Sequence, residues 1–179
     1  AEACGAPEAA RGMRLHATTS MRMLSQRDPW VNILRGTVAA LAASVAGVDS
    51  LTVLPFTAAL GLPDGAARRI ARNTQLVLQQ ESSLNRVVDP AGGSWAIENL
   101  TDATAQEAWT LFQQIEREGG MLASLQSGKL QARIPAVSAD RARHIADLSD
   151  PLTWTSAFPH FQQQPLPAQT GHHPTSRQT

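Results

Sequence analysis

The stretch DPWVNILRGTVAALAASVAGVDSLTVLPFTAALGLP, residues 28–63, decides the fold. Asp28 is a capping type, Pro29 suits a first helical position, and Gly47 suits a stop. Between them Val31, Ile33, Leu34, Val38, Leu41, Val45 and many alanines leave a helix apolar on nearly every face. Such a helix has to be covered on most sides. Leu51 to Leu54 then reads as a short buried strand leaving into a loop. In α/β proteins ligands bind at the carboxyl ends of such strands. Here that end offers Leu54, Pro55, Phe56, Thr57 and Ala58, with no acid, base, amide or metal ligand.

Upstream, MRLHATTS (13–20) is a candidate strand. Downstream, Asp64 and Gly65 open a helix over AARRIARNTQLVLQQES. Ala66, Ile70, Thr74, Val77 and Leu78 share its apolar face, and Arg68, Arg69 and Arg72 share another. The arginines suit either a phosphate or plain solvent. NRVVDPAGGSWAIENL is a turn-rich link, with Trp95 to Leu100 read as extended. TDATAQEAWTLFQQIEREGG reads as an amphipathic helix capped by Thr101. Ala105, Ala108, Trp109, Phe112 and Ile115 form its core face, and Gly119 and Gly120 end it. Further helices are expected at Met121–Gln126 and at Ala139–Leu148, the latter capped by Ser138. Residues 160–179, rich in Gln and Pro, have no apolar period and are expected to be a disordered tail. Two strands make no stable sheet alone, so the pattern predicts part of a larger α/β domain. The opening AEACGAPEAARG likewise suggests a chain that begins inside a domain.

The 179 residues carry 15 basic and 15 acidic side chains, so net charge is zero. That balance argues against a nucleic-acid surface and a polybasic membrane patch. No run approaches the roughly 18 apolar residues of a membrane helix. Cys4 is the single cysteine, which fits a reducing cytoplasm. Asp89 and Glu98 have no partner acid at a useful spacing, and PAGGSW lacks the Lys-Ser/Thr of a phosphate loop. His172 and His173 lack a metal-ligand context, so no metal site is predicted.

Several stretches together resemble the methylmalonyl-CoA mutase family. They are MRLHATTS, QRDPWVNILRGTVAALAASVAGVDSL, LGLPDGAARRIARNTQLVLQQES, RVVDPAGGSW and AWTLFQQIEREGGM. The resemblance runs from about residue 1 to 159. It implies the C-terminal part of a (β/α)8 barrel, its last two strands, followed by mostly helical segments. Residues 1–137 would belong to that barrel domain and 138–159 to a helix and the start of a linker. The family's separate cobalamin domain, with its D-x-H-x-x-G signature, has no counterpart in this sequence.

The resemblance also implies what the strand ends have lost. Catalytic members carry an H-T-N-A-x-D-E-like run where this chain has TVLPFTA. Their Asn and Glu contact the adenosyl group and fall on Leu54 and Ala58. Leu and Ala can form neither hydrogen bond. Where catalytic members read H-x-Q-T-S-G-W, this chain has His16, Ala17, Thr18, Thr19, Ser20, Met21 and Arg22. His16, Thr18, Ser20 and Ser50 are expected as substrate-facing relics, and no residue is expected to be catalytic. The pattern is most similar to the small, non-catalytic subunit of heterodimeric members. The implied partner is a catalytic large subunit, with adenosylcobalamin and acyl-CoA bound in the assembled enzyme. The implied reaction is the radical interconversion of methylmalonyl-CoA and succinyl-CoA. A fragment of a catalytic mutase with an altered pocket, and a helical interaction module, are the alternatives.

Overall fold

Two short strands, β1 (His16–Thr18) and β2 (Ser50–Thr52), pair in parallel, with His16 opposite Ser50, Ala17 opposite Leu51 and Thr18 opposite Thr52. The computed structural model describes residues 5–10 and 12–166, so of the tail expected over 160–179 only 160–166 are described and the rest lies outside the described residues. The chain divides into one unit of Ala1–Pro90 with Phe161–Thr179 and another of Ala91–His160. The chain is α/β and mostly helical, with one small parallel sheet.

In the first unit the strands alternate with helices α1 (Val31–Val45) and α2 (Gly65–Gln80). β2 begins and ends earlier than its apolar run suggests. The ladder closes with the Thr19 N–H donating to the Thr52 carbonyl at 3.0 Å, and the chain then turns into a 3-10 turn at Met21–Met23, capped by Ser20. The Leu54 N–H therefore donates to the Thr19 hydroxyl at 2.9 Å instead of to a strand. Ala40, Val53, Ala71 and Leu78 form the core, with Leu51 and Leu84 packed against it. The inward side of α1 is Asn32, Gly36 and Ala40, small residues that let the helix approach β2. Of its other apolar residues Val31, Ile33 and Val45 are half-buried, while Leu34 is 64% and Val38 66% exposed.

Asp28 does not cap α1. It sits in the left-handed region at φ 43°, and its carbonyl accepts from Val31 N–H at 3.1 Å. The cap position is Trp30, because the Pro29–Trp30 turn delays the helix start. Asp64 does cap α2, its carboxylate accepting from Ala67 N–H at 2.7 Å. Replacing Asp64 by Ala is expected to cost about 1 kcal/mol, read as a lower urea midpoint at unchanged slope. The buried face of α2 is Ala67, Ala71 and Leu78, so Ala66 and Val77 point outward. The apolar stripe is turned by about one residue from the face the periodicity suggests.

The second unit holds α3 (Trp95–Arg117), α4 (Gly120–Gln126) and α5 (Lys129–Ala146). Trp95 to Leu100 is helical, not extended, and Thr101 lies inside α3, donating to the Ile97 carbonyl at 2.8 Å. Glu98 reaches back to Gly93 N–H at 3.2 Å and closes the true start of the helix. Ala105, Ala108, Trp109 and Phe112 are exposed and Ile115 is half-buried, so the core face of α3 is uncovered among the described residues. Trp109 and Phe112 stack on each other instead, 5.2 Å between centroids. Helix α5 begins at Lys129 and passes through Pro135 and Ser138, so Ser138 is no cap. The left-handed Gly128 (φ 75°) separates it from α4. Glu118 pairs with Arg133 and accepts from the fully buried Ser124 hydroxyl at 3.1 Å. Past α5, the Ser149 hydroxyl and N–H donate to Asp147 and hold its carboxyl below the usual carboxylate range.

Candidate functional site

Strand alternation sorts the two faces of the sheet. Ala17, Leu51 and Val53 turn toward the core side, while His16, Thr18, Ser50 and Thr52 share the exposed opposite face. On that face the residues meet. His16 Nδ1 lies 2.7 Å from Ser50 Oγ. Its Nε2 lies 3.3 Å from both Thr18 Oγ1 and Thr52 Oγ1. Both ring nitrogens are engaged, one as donor and one as acceptor in the neutral ring.

A serine and histidine at this distance meet the geometric condition for a nucleophile and its base. The other requirements are missing. All the ring's partners are hydroxyls, so no carboxylate orients it among the described residues. The backbone N–H groups of Asp49 and Ser50 both donate to the Leu15 carbonyl, at 3.0 and 3.3 Å. None remains there to hold an oxyanion. The cluster is a polar lining able to hydrogen-bond a carbonyl or hydroxyl, not a hydrolytic centre.

Ser20 stands apart from this network. Its hydroxyl accepts from Arg22 N–H at 3.2 Å in the loop after β1. Thr52, which sequence reasoning passed over, completes the network opposite Thr18. The signal was available in the two-residue spacing of Ser50 and Thr52.

At the carboxyl end of β2, Leu54 is half-buried and Ala58 is 5% exposed. Neither side chain offers a hydrogen bond. Thr57 Oγ1 is buried without a partner among the described residues, so that hydroxyl is closed to a ligand as well. The Phe56 ring stacks on Trp30 at 4.9 Å. This loop does not fit a nucleoside held through its hydroxyls and base.

What holds the loop is Asn32, a residue the sequence reading did not single out. It is 1% exposed and uses its whole amide. Its Oδ1 accepts from Ser25 N–H at 2.9 Å and Arg35 Nη1 at 2.8 Å. Its Nδ2 donates to the carbonyls of Ser25 at 2.8 Å and Phe56 at 2.9 Å. One α1 side chain thus ties together the loops that follow both strands. At the opposite end of the sheet a cavity of about 240 Å3 is lined by Ser44, Asp49, Ser50, Gln75 and Gln79, with Leu78 and Leu84. Asp49 is anchored there by Leu15 N–H at 2.7 Å. The amino-terminal end of parallel strands is where packing residues gather, not chemistry.

Among the described residues no group of three or more His, Cys, Asp or Glu could hold a metal ion. No helix there is long and apolar enough to cross a membrane. The family model described as methylmalonyl-CoA mutase matches residues 1–178. The chain is 52% identical over 166 residues to the methylmalonyl-CoA mutase small subunit of Streptomyces virginiae, covering 93% of this chain and 27% of that protein. It is 44% identical over 173 residues to the methylmalonyl-CoA mutase small subunit of Propionibacterium freudenreichii subsp. shermanii, with the same two coverages of 93% and 27%. It is 44% identical over 127 residues to the methylmalonyl-CoA mutase of Escherichia coli, covering 71% of this chain and 18% of that protein. The chain therefore spans about a quarter of the length of the small subunits it matches.

Proposed function

We propose that this chain, which belongs to the methylmalonyl-CoA mutase family, is part of a small subunit that supports mutase catalysis without performing it. The observation that carries the proposal is the loop after β2. Leu54 and Ala58 stand where adenosyl contacts are expected, and neither side chain can donate or accept. In the assembled enzyme, adenosylcobalamin would supply the radical chemistry that interconverts methylmalonyl-CoA and succinyl-CoA. Its contacts would come from a catalytic partner subunit, and this chain's part is scaffold and interface.

Within that reading β1 and β2 are the last two strands of a (β/α)8 barrel. The lopsided sheet supports this, since a barrel wants helices outside and a filled interior. The covered face carries α1 and α2, and the open face carries His16, Thr18, Ser50 and Thr52. On this placement those four residues line the barrel interior where an acyl-CoA would pass. Residues 1–137 form the barrel's C-terminal part, and 138–159 lead out of it. A cytoplasmic setting suits the acyl-CoA substrate and the single cysteine.

The intact His16 network favours a second reading, a catalytic chain with an altered pocket. The two separate on one preparation. The full chain, co-expressed with a catalytic mutase chain, is expected to co-purify with it at equal stoichiometry. Alone, it is expected to show no cobalamin absorbance after incubation and gel filtration. Retention of cobalamin by the chain alone would favour the second reading, and failure to pair would remove the first.

A further inference from the structure

We infer that residues Phe161 to Leu166 form a strap that clamps the loop between β1 and α1. The inference stands on the geometry and is independent of the mutase reading. After the second unit ends at His160, the chain groups again with the first unit. The side chain of Gln163 accepts a hydrogen bond from Asp28 N–H at 2.7 Å, across 135 positions of sequence. Gln163 and Leu166 are half-buried, whereas Phe161, Gln162, Gln164 and Pro165 are exposed. The segment thus turns particular side chains inward despite its polar composition.

The contact falls on a strained point. Asp28 has φ 43°, a conformation that few non-glycine residues adopt. It immediately precedes Pro29, one of the most deeply buried side chains. In this conformation the Asp28 carbonyl serves the first turn of α1, and its N–H points elsewhere. A partly buried N–H without an acceptor is costly, and Gln163 is the acceptor. Strain of this kind persists where surrounding contacts over-determine it.

The clamped loop is coupled to the loop after β2. Asn32 joins Ser25 to Phe56, and Gln26 Nε2 donates to the Ala59 carbonyl at 2.9 Å. The strap therefore bears on the whole layer of loops at the carboxyl ends of the strands. Releasing it frees the Asp28 N–H and loosens that layer while leaving the core of Ala40, Val53, Ala71 and Leu78 in place.

The test is residue-resolved amide exchange on the full chain. Gln163→Leu removes the acceptor and is expected to speed exchange at Asp28 about fivefold to tenfold, the worth of one ordinary hydrogen bond. The Ala40 and Val53 amides should keep their wild-type rates. Gln164→Leu, a substitution at an exposed neighbour, should change neither. Unchanged exchange at Asp28 in Gln163→Leu would overturn the strap. So would an equal rise in Gln164→Leu, or a rise that spreads to Ala40 and Val53.

Discussion

Replacing Asn32 by Leu in the full chain is expected to lower its unfolding free energy by about 3 to 5 kcal/mol. Leucine has nearly the same size, so the loss is not a cavity effect. The amide makes four hydrogen bonds from a site that is 1% exposed. The Phe56 carbonyl loses its donor inside the protein, and the Ser25 backbone loses both a donor and an acceptor. Each buried group left without a partner costs about 1 to 3 kcal/mol. A domain is stable by only about 5 to 15 kcal/mol, so the change is a large share of the total. Urea unfolding measures it, with the exposed Asn73→Ala on α2 as a control expected within about 0.5 kcal/mol of wild type. A loss under about 1 kcal/mol for Asn32→Leu would mean that the two loops hold themselves.

The first unit was largely readable because its signals are local and agree with one another. Asp64 caps α2 as its residue type suggests, and Gly47, at φ 72°, marks the end of α1. His16 and Ser50, named only through the resemblance, stand opposite each other in the parallel register. The second unit was less readable because its signals compete. Thr101 is a good cap type, yet it lies six positions inside α3 and bonds its own helix. Ser94 and Glu98 mark the real start, but Glu98 acts through Gly93 N–H, a contact visible only once the turn has formed. Ser138 and Pro135 look like a boundary, and the helix formers from Lys129 onward carry α5 through both. The part of Asn32 was illegible for another reason. Its partners Ser25 and Phe56 lie 7 and 24 positions away in loops whose paths no local pattern states.

The uncovered face of α1 and the open sheet face belong to the same account. A helix with apolar residues all round predicts cover on most sides, and the described residues supply one. The chain spans about a quarter of its small-subunit relatives, so the rest of such a subunit is the natural source of that cover.

The central claim is that the full subunit containing this chain does not turn over substrate alone. Holding an adenosyl group away from cobalt after bond homolysis needs directed hydrogen bonds to its ribose and base. Leu54 and Ala58 supply none. Two lost contacts at about 2 kcal/mol each, the middle of the usual 1 to 3 range, amount to roughly a thousandfold in rate if they add. Reinstating the polar groups by Leu54→Asn with Ala58→Glu is not expected to restore activity. Position 58 is 5% exposed here, and a carboxylate placed there would lose its hydration without a partner. The deciding measurement is the conversion of methylmalonyl-CoA to succinyl-CoA with adenosylcobalamin, by the full chain alone and with a catalytic mutase chain. The account predicts activity in the pair and, for the chain alone, a rate about a thousandfold lower. Turnover by the chain alone within about tenfold of the pair would contradict it.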